Sequence, residues 1–270
     1  MKRVGYYILI ILLFSITNVN AEVFCDVSIS GNNYSELTDS DYKTFKSFSN
    51  IDVIDVECDK EIKYVYIYYH DSSSHGHIND TVLGERGYLH ELVDLNNGTS
   101  SFSITYEEGY SIADISFYDD SRLPSYVENW ETLKEADLMI FPTRVADEEL
   151  FFSALIPTYI NQDRRVQIVY FINDYSIEEY HELLEGLWAI GIKYYPVFSS
   201  FPDSNSPSLK TALKNFNEKV FSEDDAISFM VNQIRKYRPF VVVGHDENGE
   251  YKDGQNMLNT YFLKKSYYIS

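Results

Sequence analysis

Apolar residues recur along the chain with two different periods, and the change between them comes near residue 130. Before that point, short β-branched and aromatic runs are separated by Gly, Asn, Asp and Ser turns, a spacing that predicts a β-sandwich. The runs that carry this pattern are Ile51–Val56, Tyr64–Tyr69, Tyr88–Leu95, Ser101–Tyr106 and Ile112–Tyr118. We therefore predict an all-β sandwich domain over residues 22–128.

After the change, apolar strands alternate with amphipathic helices, which predicts a parallel sheet with right-handed crossovers. The predicted strands are Asp137–Phe141, Val166–Ile172, Tyr194–Phe198 and Phe240–Val243. The predicted helices are Glu148–Ile160, Ile177–Ile190, Ser208–Lys219, Glu223–Tyr237 and Gly254–Lys265. Residues 129–270 are therefore expected to form an α/β domain.

The N-terminus has the order of a secretory signal peptide. Lys2 and Arg3 precede an apolar run, Tyr6–Phe14, and small residues lead up to Ala21. The run is short for a membrane span, although an N-terminal anchor is the alternative. We predict a signal peptide over residues 1–21, a secreted or extracytoplasmic mature chain, and no transmembrane segment after cleavage.

Net charge argues against nucleic acid as a partner. The chain has 42 acidic and 22 basic residues, a formal net charge of −20. Such a surface has few cationic groups to displace counterions from a phosphate backbone. We therefore expect no nucleic-acid partner.

The chain has two cysteines, Cys25 and Cys58. In an oxidising compartment a single disulfide between them is plausible chemistry, and two buried thiols are the alternative. Neither cysteine has neighbours that indicate metal binding or thiol catalysis.

Polar residues follow two of the apolar runs, in ADLMIFPTRVADEELFF (136–152) and VVVGHDENGEYKDGQNM (241–257). Parallel α/β sheets bind their ligands at such positions, beyond the carboxyl ends of the strands. A catalytic zinc site needs about three protein ligands, an open position for water and a nearby base. The first segment offers one good ligand, Asp147, since Glu148 and Glu149 also suit the first turn of a helix.

Three stretches of the α/β region resemble the LmbE-like zinc de-N-acetylases of the PIG-L superfamily. They are PTRVADEELFF, beside that family's His-Pro/Ala-Asp-Asp-Glu motif, HELLEGLWAIGIKYYPVF, and GHDENGEYKDGQN, beside its His-Asp-x-x-Gly-Glu-Tyr-Gly-His-x-x-His motif. The resemblance runs from Ala136 to Leu263. It implies a Rossmann-like parallel sheet, shorter at its C-terminus than in the family. It also implies zinc-dependent removal of acetyl groups from N-acetylglucosamine-containing or related substrates.

Carried over residue by residue, the same resemblance implies a degraded zinc site. The family's first zinc-ligating histidine falls on Arg144 and its catalytic aspartate on Ala146, while its second zinc ligand is kept as Asp147. Its assisting histidine falls on Asp253 and its final zinc-ligating histidine on Asn256. A guanidinium cannot deprotonate and repels a divalent cation, and alanine cannot act as a base.

The rest of the predicted cleft consists of His245, Asp246, Glu250 and Tyr251. Two alternatives stay open for its polar groups. Asp147, His245, Asp246 and Asp253 could form a different, oxygen-rich metal site. Arg144 could instead form an internal salt bridge with Asp147 or Asp253, which neutralises charges that are costly to bury.

The β-rich region resembles, less specifically, the discoidin-like (galactose-binding-like) β-sandwich. The residues that carry this resemblance are LTDSDYKTFKSF, Leu37–Phe48, and the KYVYIYY run after it. In such domains this loop can place carboxylates such as Asp39 and Asp41 around calcium. Two aspartates in a turn are equally explained as turn formers.

Three functional classes follow from these patterns. The favoured one is a secreted, catalytically inactive, de-N-acetylase-like protein that binds a carbohydrate or glycoconjugate and has no cofactor, apart from a possible calcium ion in the first domain. The alternative is an active N-acetylglucosamine-type de-N-acetylase that uses zinc in an altered site. The third is an interaction protein with neither activity.

Overall fold

A computed structural model describes residues 21–218 and 221–270. The described residues divide into two compact units, one that ends at Val127 and one that runs from Glu128 to Ser270. The predicted signal peptide lies outside the described residues except for Ala21. Within the described ranges, no helix is both long and apolar enough to span a membrane.

The first unit contains an antiparallel sheet, in agreement with the predicted all-β region. Its strands are β1 (Cys25–Ile29), β2 (Asn32–Asn33), β3 (Lys46–Phe48), β4 (Ile54–Tyr69), β5 (Gly76–Ile78), β6 (Thr81–Leu83), β7 (His90–Tyr106) and β8 (Tyr110–Tyr118), with a short 3-10 helix at Ser35–Leu37. The strands are joined in the order β2-β1-β4-β7-β5-β6, and β8 pairs with both β3 and β4.

Strands β4 and β7 are long, and their two halves pair with different neighbours. The first half of β4 pairs with β1, and its second half pairs with β8. Between the two halves, the pairing of β4 with β7 shifts register on either side of Ile62. The sequence predicted two separate strands, Ile51–Val56 and Tyr64–Tyr69. That prediction was wrong because the polar residues between them stay extended as a bulge, which bends the strand without ending it.

The second half of β4 is buried on both faces. Val65 and Ile67 are fully buried on one face, and Tyr66 and Tyr68 are buried on the other. Tyr66 and Tyr68 pack in one cluster with Tyr118 and further apolar residues of this unit. Many tyrosines therefore lie in the core of this unit.

Cys25 and Cys58 are directly opposite each other in the β1–β4 ladder and form a disulfide. This is the first of the two alternatives considered for the cysteines. The bond joins the first residue of β1 to the start of the bulge in β4.

The second unit contains a parallel sheet with helices, as predicted, in the strand order β11-β10-β9-β12. The strands are β9 (Leu138–Ile140), β10 (Val166–Tyr170), β11 (Val197–Phe198) and β12 (Val241–Val243). The helices are α1 (Asp147–Phe151), α2 (Leu155–Ile160), α3 (Ile177–Ala189), α4 (Leu209–Asn217), α5 (Glu223–Tyr237) and α6 (Gly254–Ile269), with a 3-10 turn at Glu250–Lys252. Their apolar faces meet the sheet in a core that includes Met139, Phe171 and Phe262.

The predicted helix Glu148–Ile160 is two helices in the structure. Helix α1 ends at Phe151, and α2 begins at Leu155. The rings of Phe151 and Phe152 both contact the ring of His245, with centroids 5.6 and 5.3 Å away. Adjacent side chains of a continuous helix diverge by about 100°, so the break allows both rings to reach the same imidazole.

Glu128 provides a pH-dependent term in the stability of the second unit. Its carboxyl is buried and accepts a hydrogen bond of 2.6 Å from the indole Nε1 of Trp130. Burial raises the pKa of Glu128 from 4.5 to about 8, although the Trp130 hydrogen bond opposes the rise. Because the folded state binds this proton more tightly, the contribution is complete below pH 4.5 and is lost as the pH rises towards 8.

Glu128→Gln is therefore expected to stabilise the protein at pH 8 by on the order of 4 kcal/mol relative to the unmodified chain, with little gain at pH 4.5. Glutamine keeps an acceptor for Trp130 without the buried charge. Denaturant unfolding at a series of pH values measures the difference. Glu131→Gln, at an exposed position, serves as the control and should not change the pH dependence. A parallel profile for Glu128→Gln and the unmodified protein would contradict the assignment.

Candidate functional site

The carboxyl ends of β9 and β12 bring two polar segments together. Ile140 and Val243 are paired neighbours in the parallel ladder, so the residues that follow them enter the same edge of the sheet. After β9 the chain turns through Ala146, which has a left-handed φ of 73°, into α1. After β12 it reaches His245, whose side chain is fully buried. This edge holds most of the site residues predicted from the sequence.

Asp147 and His245 are held together by the backbone of the turn after β9. The Thr143 N–H donates to Asp147 Oδ2 at 3.1 Å and to His245 Nε2 at 3.0 Å. The Arg144 N–H also donates to Asp147 Oδ2, at 2.8 Å. On the other side of the ring, His245 Nδ1 lies 2.7 Å from Glu250 Oε2. Since Nε2 accepts the hydrogen bond from the Thr143 amide, the ring proton is on Nδ1, which donates a hydrogen bond to Glu250.

Helix α6 completes this network through its first turn. Asp253 Oδ1 accepts the N–H groups of Gln255 and Asn256, at 2.8 and 3.0 Å, and so caps the helix. The Asn256 Nδ2 group donates to Glu250 Oε2 at 3.1 Å, while its Oδ1 is buried without a hydrogen-bond partner among the described residues. One turn later, Asn259 donates to Thr143 Oγ1 at 3.1 Å. The helix is thus tied to both strand ends by side-chain amides.

Arg144 forms a two-carboxylate ion pair at the mouth of the site. Its Nε lies 2.5 Å from Asp203 Oδ2, and its Nη1 lies 3.3 Å from Asp253 Oδ2. The arginine side chain is 25% exposed. Burial lowers the pKa of Arg144, but the hydrogen bond and charge of Asp203, with the charges of Asp253 and Asp147, outweigh burial and raise it. Of the two partners considered from sequence, Asp253 accepts a side-chain hydrogen bond, and Asp147 is bonded through the backbone N–H.

The residues present do not fit a catalytic zinc ion. Asp147 Oδ2 and His245 Nε2 lie 3.3 Å apart and could share a metal, with Glu250 orienting the ring from behind. The positions aligned with the other ligands hold the positively charged Arg144 and the amide of Asn256. Within the described ranges, no group of three or more His, Cys, Asp or Glu side chains is arranged to hold a metal ion. Two donors fall short of the about three that a catalytic zinc needs.

Asp246 and Tyr251 lie at the rim of the network. The Asp246 N–H donates to Glu250 Oε1 at 3.1 Å, and its Oδ1 accepts the Asn248 N–H at 2.8 Å, so its carboxylate shapes the turn. Tyr251 has a left-handed φ of 55° and is 95% exposed. Its ring centroid lies 6.2 Å from that of Phe151. The predicted oxygen-rich group of Asp147, His245, Asp246 and Asp253 is thus divided between the network, the rim and the ion pair.

Asp39 and Asp41, which the sequence left open as calcium ligands or turn formers, bond to their own loop. Asp39 Oδ1 accepts the Asp41 N–H at 2.8 Å, and Asp41 Oδ1 accepts the Lys43 N–H at 3.1 Å. The same loop also bonds to a buried carboxyl that the sequence did not single out: Asp114 Oδ2 accepts the Ser40 N–H at 2.9 Å. Burial raises the pKa of Asp114 to about 6.

Sequence reasoning missed two members of the site in the α/β unit. The first is Asp203, which makes the shorter of the two ion-pair contacts of Arg144. The second is Tyr175, whose hydroxyl accepts the Val145 N–H at 3.0 Å. Both residues follow strands of the same parallel sheet, Tyr175 after β10 and Asp203 after β11. Ligands bind beyond the carboxyl ends of parallel strands, so the position of both residues after strands could have identified them as site residues.

No family model matches the chain, and no curated protein matches it. The resemblance to the PIG-L superfamily therefore rests on the motif residues alone. Solved structures give weak similarities, all at low identity.

A pectin-binding carbohydrate-binding module shares 18% identity over 38% of this chain and 96% of its own, with a TM-score of 0.29. CpGH89CBM32-6, produced by Clostridium perfringens, shares 14% identity over 35% of this chain and 93% of its own, with a TM-score of 0.29. A mutant ferredoxin-NADP+ reductase from Plasmodium falciparum shares 9% identity over 94% of this chain and 93% of its own, with a TM-score of 0.26. At these TM-scores the similarities carry no conclusion about the function of this chain.

Proposed function

We propose that this chain is an exported carbohydrate-binding protein with a de-N-acetylase-like α/β unit whose zinc chemistry has been lost. The observation that carries the proposal is the ion pair of Arg144 with Asp203 and Asp253. Arg144 aligns with the first zinc-ligating histidine of the PIG-L motif, and the ion pair holds its positive charge at that position. The same pair presents polar groups to solvent at the sheet edge where α/β units bind their ligands.

A sugar suits these groups better than an apolar ligand does. Each hydroxyl both donates and accepts a hydrogen bond, so it can use a carboxylate oxygen and a guanidinium N–H side by side. Asp203 and Asp253 are about one fifth and one third exposed, and Arg144 holds both in place. A ligand that meets oriented groups loses less ordering entropy on binding.

Tyr251 supplies an aromatic surface at the same rim. It is almost fully exposed, and its left-handed backbone holds the ring near Phe151. The apolar face of a pyranose can pack on such a ring while its hydroxyls reach the polar groups. The rim thus combines the aromatic and polar contacts that a sugar site uses.

Titration calorimetry of the full chain with neutral and N-acetylated oligosaccharides tests the proposal. We expect Tyr251→Ala to weaken binding about tenfold, or about 1.4 kcal/mol. Arg144→Lys should weaken binding as well, because an ammonium keeps the charge but cannot bridge two carboxylates as a planar fork does.

Phe24→Ala is the matched control, since it removes an exposed aromatic ring from the β-rich unit. If Phe24→Ala abolishes binding while Tyr251→Ala and Arg144→Lys leave it intact, the sugar site lies in the first unit. If no member of the oligosaccharide panel binds, the proposal is wrong.

The second candidate is a metal-dependent de-N-acetylase with an altered site. It is favoured by one observation, the 3.3 Å approach of Asp147 Oδ2 to His245 Nε2 with Glu250 behind the ring. Acetate release from N-acetylglucosamine oligomers, measured with added zinc and with a chelator, separates the two functions. Chelator-sensitive release by the unmodified protein would favour the enzyme.

A further inference from the structure

Strand β12 forms an open edge of the parallel sheet. The Val241 N–H donates to Asp137 O at 3.1 Å, and Val243 O accepts the Phe141 N–H at 2.9 Å. These residues therefore face β9, and the N–H and C=O of Val242 between them point away from it. The segment Phe240–Gly244 contains neither a charged residue nor a proline. It lacks the charged residues and the internal proline that often protect an edge strand, and the three residues of β12 limit any pairing to a short ladder.

Exposed apolar side chains surround this edge. Those of the described residues at the beginning of β12 and the end of α6 are Phe240 (83% exposed), Val241 (38%), Tyr267 (61%), Tyr268 (84%) and Ile269 (56%). Beside them, a groove of about 350 Å³ is lined in part by Val242, Gly244, Leu263 and Tyr267. Clustered exposed apolar residues of this kind mark an interaction site more often than single ones do.

We propose that this edge binds the same edge of a second copy of the chain, with the two β12 strands antiparallel about a two-fold axis through Val242. In this arrangement the two Val242 residues exchange their outward N–H and C=O groups. Phe240 of one copy then lies opposite Gly244 of the other. A two-fold interface requires such a self-complementary surface.

Gly244 and Phe240 make the pairing complementary in shape. A Cβ atom on Gly244 would lie 2.6 Å from Leu263 Cδ2, so the side-chain direction of this position points towards α6. Residues 240, 242 and 244 share that side of an extended strand. The exposed ring of Phe240 therefore lies over the groove beside Gly244 of the partner copy, where it can pack on Leu263, whose Cδ2 fills the space that a side chain at 244 would take.

Local charge permits self-association at this surface. A net charge of −20 repels two copies from each other on most approaches. Beside the apolar cluster, however, basic side chains offset acidic ones: Lys264 pairs with Glu247, and Lys265 pairs with Glu223. Arg235 donates to Ile269 O at 3.0 Å. The local charge that would oppose contact between two copies is therefore reduced at this edge.

Sedimentation of the full chain tests the proposal. We expect a monomer–dimer equilibrium in the micromolar range, since the surface is small for a stable interface. Phe240→Glu should shift the equilibrium towards monomer by at least about tenfold, because it places a like charge in each copy of the groove. Leu150→Glu, a change of the same kind at a position that is 70% exposed on α1, should leave the equilibrium unchanged.

A cross-link checks the register. Val242→Cys puts a thiol on the two-fold axis, and the only other cysteines already form a disulfide. Mild oxidation should then give a covalent dimer, because opposite residues of an antiparallel pair lie at disulfide distance. Val82→Cys, at a position that is 43% exposed in the first unit, is the control and should stay largely monomeric. A chain that sediments as a monomer at all concentrations, or no cross-link at Val242→Cys, would overturn the proposal.

Discussion

The variant that carries Arg144→His, Ala146→Asp, Asp253→His and Asn256→His is expected to retain zinc after dialysis, whereas the unmodified protein is expected to lose it. Histidines at positions 144 and 256 would join Asp147 to give the set of about three protein ligands that a catalytic zinc needs. The carboxylate of Asp147 is already held by two backbone N–H groups, at 3.1 and 2.8 Å. One ligand is therefore in position before the others are added.

The backbone tolerates the new base better than the present residue. Ala146 has a left-handed φ of 73°, a conformation in which Asp is more common than Ala. Two other changes carry a cost. Removing Arg144 leaves Asp203 without its cation, and removing Asp253 takes away the cap of α6. We therefore expect zinc binding to return together with a loss of stability in the absence of zinc.

Elemental content after dialysis and acetate release measure the two outcomes. Arg144→His alone is the control and should leave acetate release at background, because Ala146 cannot act as the base and the other ligand positions are still missing. Slow hydrolysis by the fourfold variant is the most that we expect. A folded fourfold variant that does not bind zinc would show that the ligand positions are no longer at coordinating distance.

The second large effect concerns the disulfide between Cys25 and Cys58. The bond closes a loop between cysteines 33 positions apart, and replacing both with serine is expected to lower the free energy of unfolding by about 3 to 4 kcal/mol. Most of the loss comes from the greater freedom of the unfolded chain. The β1–β4 ladder does not depend on the two sulfur atoms for its backbone hydrogen bonds.

Denaturant unfolding with and without a reductant measures this effect. The reduced unmodified protein should unfold at about the same denaturant concentration as the double serine variant, which separates loss of the bond from any effect of the new hydroxyls. Equal unfolding midpoints for the oxidised protein and the serine variant would show that the disulfide does not contribute to stability.

Hydrophobic period predicted the type of most long elements in this chain. Helix α5 begins and ends where the pattern predicted, at Glu223 and Tyr237, and β9 lies inside the predicted run Asp137–Phe141. Strand β1, Cys25–Ile29, was missed because five residues give too short an alternation to stand out. Element breaks were predicted wrongly where tertiary contacts decide them: the break between α1 and α2 was missed, and the break predicted within β4 is a bulge in a continuous strand.

The sequence predicted which residues lie together at this sheet edge better than it predicted their contacts. Motif alignment placed Arg144, Asp147 and Asn256 at one sheet edge, and the structure brings all three to that edge. The partner with the shortest contact to Arg144, Asp203, lies 59 positions away and belongs to no motif. Such a pairing depends on how the strands are ordered, which a single sequence does not give.

The two long strands of the first unit also determine how that unit can open. Because β4 and β7 pair with each other along most of their length, β1, β5 and β8 are all joined to the rest of the sheet through these two strands. Separation of β4 from β7 in one half of the ladder disturbs strands that the other half needs. We therefore expect this unit to unfold as one cooperative block rather than in stages.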